Sequence, residues 1–186
     1  VENTVLKERL RQVLSQDPLT GLLRFSSFNE LAAGVFESVQ ETGTTVGLAL
    51  IDIDHFKNFN RRYGREPGER LLAELAALIE GETRRNDLAA RYGGDEFVLL
   101  LPGARGSRLL EQAEDIRYAV RDHAFLKQDG RAAQITVSIG TAEFPQDAGD
   151  AEGLLKAAQR ALEKAQGQGG DRVEAAAVVL ASPPPG

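Results

Sequence analysis

The stretch Arg91-Tyr92-Gly93-Gly94-Asp95-Glu96-Phe97 lies between two apolar runs, Leu88-Ala89-Ala90 and Val98-Leu99-Leu100-Leu101, the second closed by Pro102-Gly103. Two strand-like runs joined across paired glycines predict a tight β-hairpin, because hairpin turns need positive φ and glycine adopts it cheaply. Asp95 and Glu96 follow the glycines directly and ride on the tip. A bare Gly93-Gly94 backbone lets a ligand approach closely, and adjacent carboxylates are hard oxygen ligands for a cation. A solvated acidic turn has the same composition, so the hairpin by itself leaves both readings open.

Upstream, Val46 to Ile53 is almost continuously apolar, the pattern of a buried central strand. It ends in Asp52-Ile53-Asp54, and strand alternation puts Asp52 and Asp54 on one face. Carboxylates at the end of a core strand suit a metal. They equally suit a strand end emerging into water, with Asp54 capping the next helix. His55 to Tyr63 reads as a short helix, and Pro67 opens another that carries Leu71, Leu72, Leu75, Leu78 and Ile79. Ser27 and Glu30 have capping-box spacing ahead of a helix that ends near Thr42-Gly43.

Downstream, Leu109, Ala113, Ile116 and Val120 mark an amphipathic helix. Ile135 to Ile139 reads as a strand with Gly140 after it. Asp150 caps a helix ended by Gly167-Gln168-Gly169-Gly170, and Arg172 to Glu174 forms a last short strand. Residues 1–16 show a narrow helical stripe, either a connecting or coiled-coil helix or a surface helix of the same domain, broken by Asp17-Pro18. Residues 175–186, with three consecutive prolines, read as a disordered tail. Helices alternating with strands, one pair of them antiparallel, give an α+β fold with a mixed sheet flanked by helices.

The 186 residues suffice for one domain with short extensions. With no cysteine, disulfides, thiolate zinc sites and cysteine nucleophiles are excluded, and two histidines leave little for a histidine metal site. A net charge of −6 disfavours a nucleic-acid polymer as partner. No apolar run reaches the roughly 20 residues of a membrane span. The chain has no methionine, as expected of a piece of a longer protein. Walker A, Gly-x-Gly-x-x-Gly and Gly-x-Ser-x-Gly patterns are absent. What remains is acidic: Asp52 on one strand and Asp95-Glu96 on the hairpin. If the two lie side by side, the carboxylates repel one another unless cations bind, an arrangement suited to metal-assisted phosphoryl or nucleotidyl transfer. Lys57, Asn60 and Glu69 stand near enough in sequence to serve a substrate, and an amide with a carboxylate can read a guanine edge.

These residues resemble the GGDEF domain of diguanylate cyclases. Gly93 to Phe97 is the literal signature, a run that chance composition yields on the order of once per million positions. Asp17-Pro18-Leu19-Thr20-Gly21-Leu22, Asp52-Ile53-Asp54-His55-Phe56-Lys57-x-x-Asn60 and Thr136-Val137-Ser138-Ile139-Gly140 follow the family's order. The resemblance covers residues 17–174 and implies a nucleotide-cyclase-like sheet with a ferredoxin-like core, mostly antiparallel. It implies condensation of two GTP into cyclic di-GMP by a homodimer. Two magnesium (or manganese) ions, Mg2+ or Mn2+, would sit in each active site on Asp52, the Ile53 carbonyl, Asp95 and Glu96. Asp95 and Glu96 would be catalytic, Asn60 and Glu69 would bind guanine, Lys57 phosphate, and Gly93-Gly94 would lie against the nucleotide. Arg84-x-x-Asp87 matches the family's inhibitory-site motif for cyclic di-GMP, although such a pair is by default a surface ion pair. An upstream sensory domain and a cytoplasmic location, free or membrane-anchored, are implied as well.

The departures from that pattern lie late in the chain and beside Asn60. Asn60-Arg61 replaces Asn-Asp, Gly64-Arg65 replaces Gly-His, and Gly68-Glu69 replaces Gly-Asp. Gln166 and Gly170 stand where a lysine and an arginine usually meet triphosphate. Arg61, Arg62, Arg65 and Lys164 are candidates to compensate. The alternative implied by these losses is a degenerate domain that binds GTP or cyclic di-GMP as a receptor without turnover.

Overall fold

A computed structural model describes residues 15–127, 130 and 132–176. Among them, strands β1 (Leu23–Arg24), β2 (Val46–Ile53), β3 (Leu88–Arg91), β4 (Glu96–Pro102), β5 (Val137–Phe144) and β6 (Val173–Ala175) interleave with five helices. These are α1 (Phe25–Thr42), α2 (Phe56–Tyr63), α3 (Arg65–Glu82), α4 (Gly106–Asp122) and α5 (Ala151–Gly167). The strands form one sheet in the order β1-β3-β4-β2-β5-β6. The inner pairings β3/β4, β4/β2 and β2/β5 are antiparallel, while the edge strands β1 and β6 run parallel to β3 and β5. The mixed, mostly antiparallel α+β sheet is therefore as expected.

β2 is central because it is apolar on both faces. Leu48 and Leu50 join a core with α1 and α5, whereas Ala49, Ile51 and Ile53 join one with α3 and α4. Along its eight residues Asp52 alone is not fully buried. The strand thus carries one carboxylate to the rim of the sheet and keeps everything else in the core.

β5 continues five residues past the expected end at Ile139, through Gly140 to Phe144, and is buried throughout. Gly140 lies within the strand, as a contact: a Cβ there would collide with the α5 backbone at Ala158 and Leu162, the Leu162 Cα standing 2.8 Å away. α1 starts at Phe25, before the Ser27–Glu30 pair, so the expected capping box is not its N-terminus. β1 runs straight into the helix, and Phe25 is held edge-on to Tyr92 at 4.7 Å and stacked on Phe28 at 5.9 Å. Pro67 is the third residue of α3, inside the first turn, where a missing N–H has no helical partner to lose. Asp150 caps α5 as expected, accepting from Gly153 N at 2.7 Å.

Of the helix expected over 1–16, residues 1–14 lie outside the described residues; Ser15 is in a turn and Gln16 bridges to Leu23. Of the tail expected over 175–186, Ala175 belongs to β6 and Ala176 N donates to Thr141 O at 2.7 Å. Residues 177–186 lie outside the described residues.

Candidate functional site

β3 and β4 form the expected hairpin, with Tyr92–Asp95 as its loop and Glu96-Phe97 already in β4. Neither Gly93 nor Gly94 has positive φ, so the conformational reason for the glycines was wrong. Their reason is space. A Cβ on Gly93 would stand 2.8 Å from Glu96 Oε2, while nothing lies within 4 Å of a Cβ on Gly94, which faces a cleft. The loop is closed by Glu96 O, which accepts from Tyr92 N (2.8 Å) and Gly93 N (3.2 Å).

Arg91 braces the loop from below, donating from Nη2 to Gly94 O (2.7 Å) and from Nε to Gly93 O (3.1 Å). Its Nη1 pairs with Asp17 Oδ2 at 3.3 Å. Burial opposes ionisation of Asp17, but hydrogen bonds from Thr20 and the Arg91 guanidinium outweigh it, and the carboxyl sits below its usual range. Neither residue stands out as a site residue in the sequence. The two are 74 positions apart, and no local signal links them.

Register sets the acidic cluster. Glu96 lies directly across from Asp52, Ser138 flanks Asp52 on the other side, and Ile53 N donates to Asp95 O at 3.4 Å. Burial, then the Asp95 and Glu96 charges, push the Asp52 carboxyl up to about 7; a hydrogen bond from Gln166 Nε2 (2.7 Å) pulls the other way. Burial and then Asp95 also raise Glu96. Among the described residues no three acidic or histidine side chains are already gathered as a set of metal ligands. The donor chemistry nevertheless fits a divalent cation: hard oxygens crowded close enough to resist ionising together, a repulsion that a cation relieves.

The sign of the pH dependence follows. Asp52 titrates near 4 in an unfolded chain and at about 7 in the fold, so its contribution to stability is complete below about pH 4 and lost as pH rises through 7. With chelator present, the unfolding temperature is expected to fall from pH 6 to pH 8, and magnesium should restore it at pH 8. Scanning calorimetry showing equal stability at both pH values would contradict this.

Two clefts meet at Asp95 and Phe56. One, of about 440 Å³, is bordered by Asn60, Glu69, Leu72, Asp17, Arg91 and Gly94. Asn60 Oδ1 is buried without a hydrogen-bond partner, and Gly68 is what lets it lie there, since a Cβ at 68 would collide with that oxygen. Glu69 Oε1 holds Arg65 Nε at 2.7 Å. The other cleft, of about 420 Å³, runs from Ile53 to Asn58 and is closed by Gln166, Gly169 and Gly170. Lys57 lines it, and among the described residues its side chain has no hydrogen bond or ion pair. None of Arg61, Arg62, Arg65 and Lys164 lines this cleft. Arg62 lies over the Tyr63 ring, and Lys164 pairs with Glu174 at 2.6 Å.

Asp54 does not cap α2, whose first turn follows His55 with no side-chain cap. Its carboxylate accepts from Thr136 Oγ1 (2.6 Å), Ser138 Oγ (2.6 Å) and Asp171 N (2.8 Å), tying the rim of β2 to β5 and to the loop after α5.

Arg84 and Asp87 lie beside α4, apart from both clefts. Asp87 Oδ2 accepts from Arg84 N (2.8 Å) and Gln112 Nε2 (3.2 Å), so Asp87 holds the backbone turn. Among the described residues no ion pair joins the two side chains. Arg84 instead borders a cleft of about 360 Å³ with Glu82, Arg108, Glu111 and Asp115.

The family model described as the diguanylate cyclase GGDEF domain matches residues 14–172. Diguanylate cyclase A of Treponema denticola is 37% identical over 133 residues, 72% of this chain and 36% of that protein. Diguanylate cyclase DosC of Escherichia coli is 31% identical over 175 residues, 92% of this chain and 38% of that protein. The GGDEF domain of DgcB from Caulobacter crescentus, solved in complex with c-di-GMP, superposes with a TM-score of 0.81 at 32% identity, over 87% of this chain and 95% of that one. The chain thus spans well under half the length of these two curated relatives.

Proposed function

We propose that this chain, which belongs to the GGDEF domain family of diguanylate cyclases, condenses two GTP into cyclic di-GMP and releases two pyrophosphates. The observation that carries this reading is the meeting of the two clefts at Asp95: a recess with an unpartnered buried acceptor, Asn60 Oδ1, on one side, and a recess lined by Lys57 on the other. Guanine offers N–H donors on one edge. Asn60 Oδ1 and the Glu69 carboxylate supply acceptors for them. A buried acceptor left without a donor is costly, so Asn60 favours a base that satisfies it over one that does not. Lys57 and the backbone at the start of α2 face the triphosphate.

In each condensation the 3′-oxygen of one GTP bonds to the α-phosphorus of the other, the bond to pyrophosphate breaks, and the 3′-hydroxyl proton passes to the Asp95 carboxylate. Two domains face each other as a homodimer, because a single base recess holds a single GTP. Asp52, the Ile53 carbonyl, Asp95 and Glu96 would hold two magnesium or manganese ions, which neutralise triphosphate charge and acidify the 3′-hydroxyl when bound. The test is incubation of dimerised protein with GTP and magnesium, with cyclic di-GMP resolved by chromatography. No product over a range of protein and metal concentrations would reject the reading.

Arg84, whose guanidinium borders its own cleft and makes no ion pair with Asp87, suits the phosphodiester of the product. Product inhibition predicts that calorimetry finds cyclic di-GMP binding in the parent and that Arg84→Ala weakens it by about tenfold or more, the loss of a charge-assisted bond. Unchanged affinity in that variant would remove the assignment. A receptor without turnover is the second reading, favoured by Gln166 and Gly170 at the phosphate end; it predicts GTP or cyclic di-GMP binding with no product. Among the described residues no helix is long and apolar enough to cross a membrane. A cytoplasmic domain driven by an upstream sensory part completes the proposal.

A further inference from the structure

Arg117 is a buried charge that the reaction does not use. It sits on the inner face of α4 at 7% exposure, among residues that otherwise pack as core. Its Nε donates to Glu114 Oε2 at 2.6 Å, one turn back on the same helix. Its Nη1 reaches across to the loop after α5, donating to Asp171 Oδ1 (2.6 Å) and to Asp171 O (3.3 Å). The guanidinium lies 4.2 Å from the Tyr118 ring centroid. Asp171 has φ 47, the left-handed region, and its N–H donates to Asp54 Oδ2 at 2.8 Å. Asp54 is in turn held by Thr136 and Ser138. Gly169 and Gly170, just before Asp171, close the phosphate-end cleft, and a side chain on Gly170 would stand 2.8 Å from the Asp54 carboxylate.

A buried arginine is costly unless its donors are met, and removing one partner of such a pair leaves a charge stranded. α5 ends at Gly167, and Gln168 N, Gly169 N and Gly170 N donate to Lys164 O, Gln166 O and Ala165 O at 3.1 Å, so the helix end ties the loop only as far as Gly170. Gly169 and Gly170 add backbone freedom at the place where a ligand must be met. Asp171, the residue past that cap, is held from outside, by Asp54 from the sheet and Arg117 from α4.

We propose that Arg117 is a positioning residue for the triphosphate: through Asp171 it holds the Gly169–Asp171 loop as the wall of the phosphate-end cleft. The inference rests on the nucleotide reading above. It assigns Arg117 no contact with substrate. Its effect is on the part of GTP that the loop faces, and the base recess at Asn60 lies on the far side of Asp95 and is not part of this network.

The test uses Arg117→Met, which keeps the packed stem, and Asp171→Asn, which weakens the bridge yet tolerates the left-handed backbone. Hydrogen exchange on the protein without nucleotide is read over residues 167–172. Calorimetry with magnesium then compares 3′-deoxy-GTP, which cannot condense, with guanosine, which has no phosphate. Both variants are expected to exchange about tenfold faster in that segment and to bind 3′-deoxy-GTP about tenfold more weakly, with guanosine unchanged and the double variant no worse than either single. Unaltered exchange at 167–172 in a folded variant overturns the inference whether or not the protein binds nucleotide. Equal weakening of guanosine and 3′-deoxy-GTP overturns it too, since Arg117 would then act on the whole fold. A parent that binds neither compound rejects the nucleotide reading, while the exchange result still decides the loop.

Discussion

Asp52→Asn is expected to lower cyclic di-GMP formation by about a thousandfold or more and, at the same time, to raise the unfolding temperature at neutral pH. The two effects have one origin. Asp52 is crowded against Asp95 and Glu96 and resists ionisation until about pH 7, so its charge is held in the fold at a cost. Asparagine has the same shape, cannot ionise, and can still accept from Gln166 Nε2 through its amide oxygen. The repulsion disappears and stability rises, as when a strained functional group is neutralised. The reaction loses a hard anionic ligand where triphosphate charge must be balanced, a loss comparable to removing a main electrostatic contributor in other active sites. The fall in stability between pH 6 and pH 8 in chelator should flatten in the same variant. A variant that is both inactive and less stable than the parent would show that Asp52 is structural.

Gly140→Val is expected to cost about 4 kcal/mol or more of stability, at the upper end of single-substitution effects. The first atom beyond Cα at position 140 meets backbone, the Ala158 carbonyl and the Leu162 amide of α5. A side chain in the way can rotate, but a helix backbone cannot yield without α5 lifting off the sheet. That movement would open the core around Leu154, Ala158 and Leu162 and pull Gln166 away from Asp52. Urea titration checks the magnitude. Gly94→Ala is the control: its Cβ meets nothing within 4 Å and its φ is not positive, so stability should change by less than about 1 kcal/mol. A tolerated Gly140→Val would mean that the β5–α5 contact is looser than the geometry requires.

Much of the fold was legible because its signals are short-range. β2 is an unbroken apolar run, and runs of that kind are read directly as buried strands. The hairpin was legible from two strand-like runs around Gly93-Gly94, and Asp150 and Gly43 mark helix ends by local chemistry that the structure repeats. The errors were local rules overridden by packing. Ser27 and Glu30 have capping-box spacing, yet β1 leads into α1 before them. Gly140 was expected just after a strand ending at Ile139, yet it is an inter-element contact in the middle of β5. Gly93 and Gly94 looked like positive-φ residues, yet Gly93 leaves room for Glu96 and Gly94 faces a cleft.

The sequence by itself determined the carboxylates Asp52, Asp95 and Glu96, the amide of Asn60 and the elements that carry them, because strand alternation and helical periodicity act over a few residues. Tertiary structure alone decided who holds those groups. Arg91 pairs with Asp17 across 74 positions, Gln166 with Asp52 across 114, Arg117 with Asp171 across 54, and Asp171 with Asp54 across 117. Such pairs form where sheet order and helix seating bring two side chains within about 3 Å, a condition that no local pattern encodes.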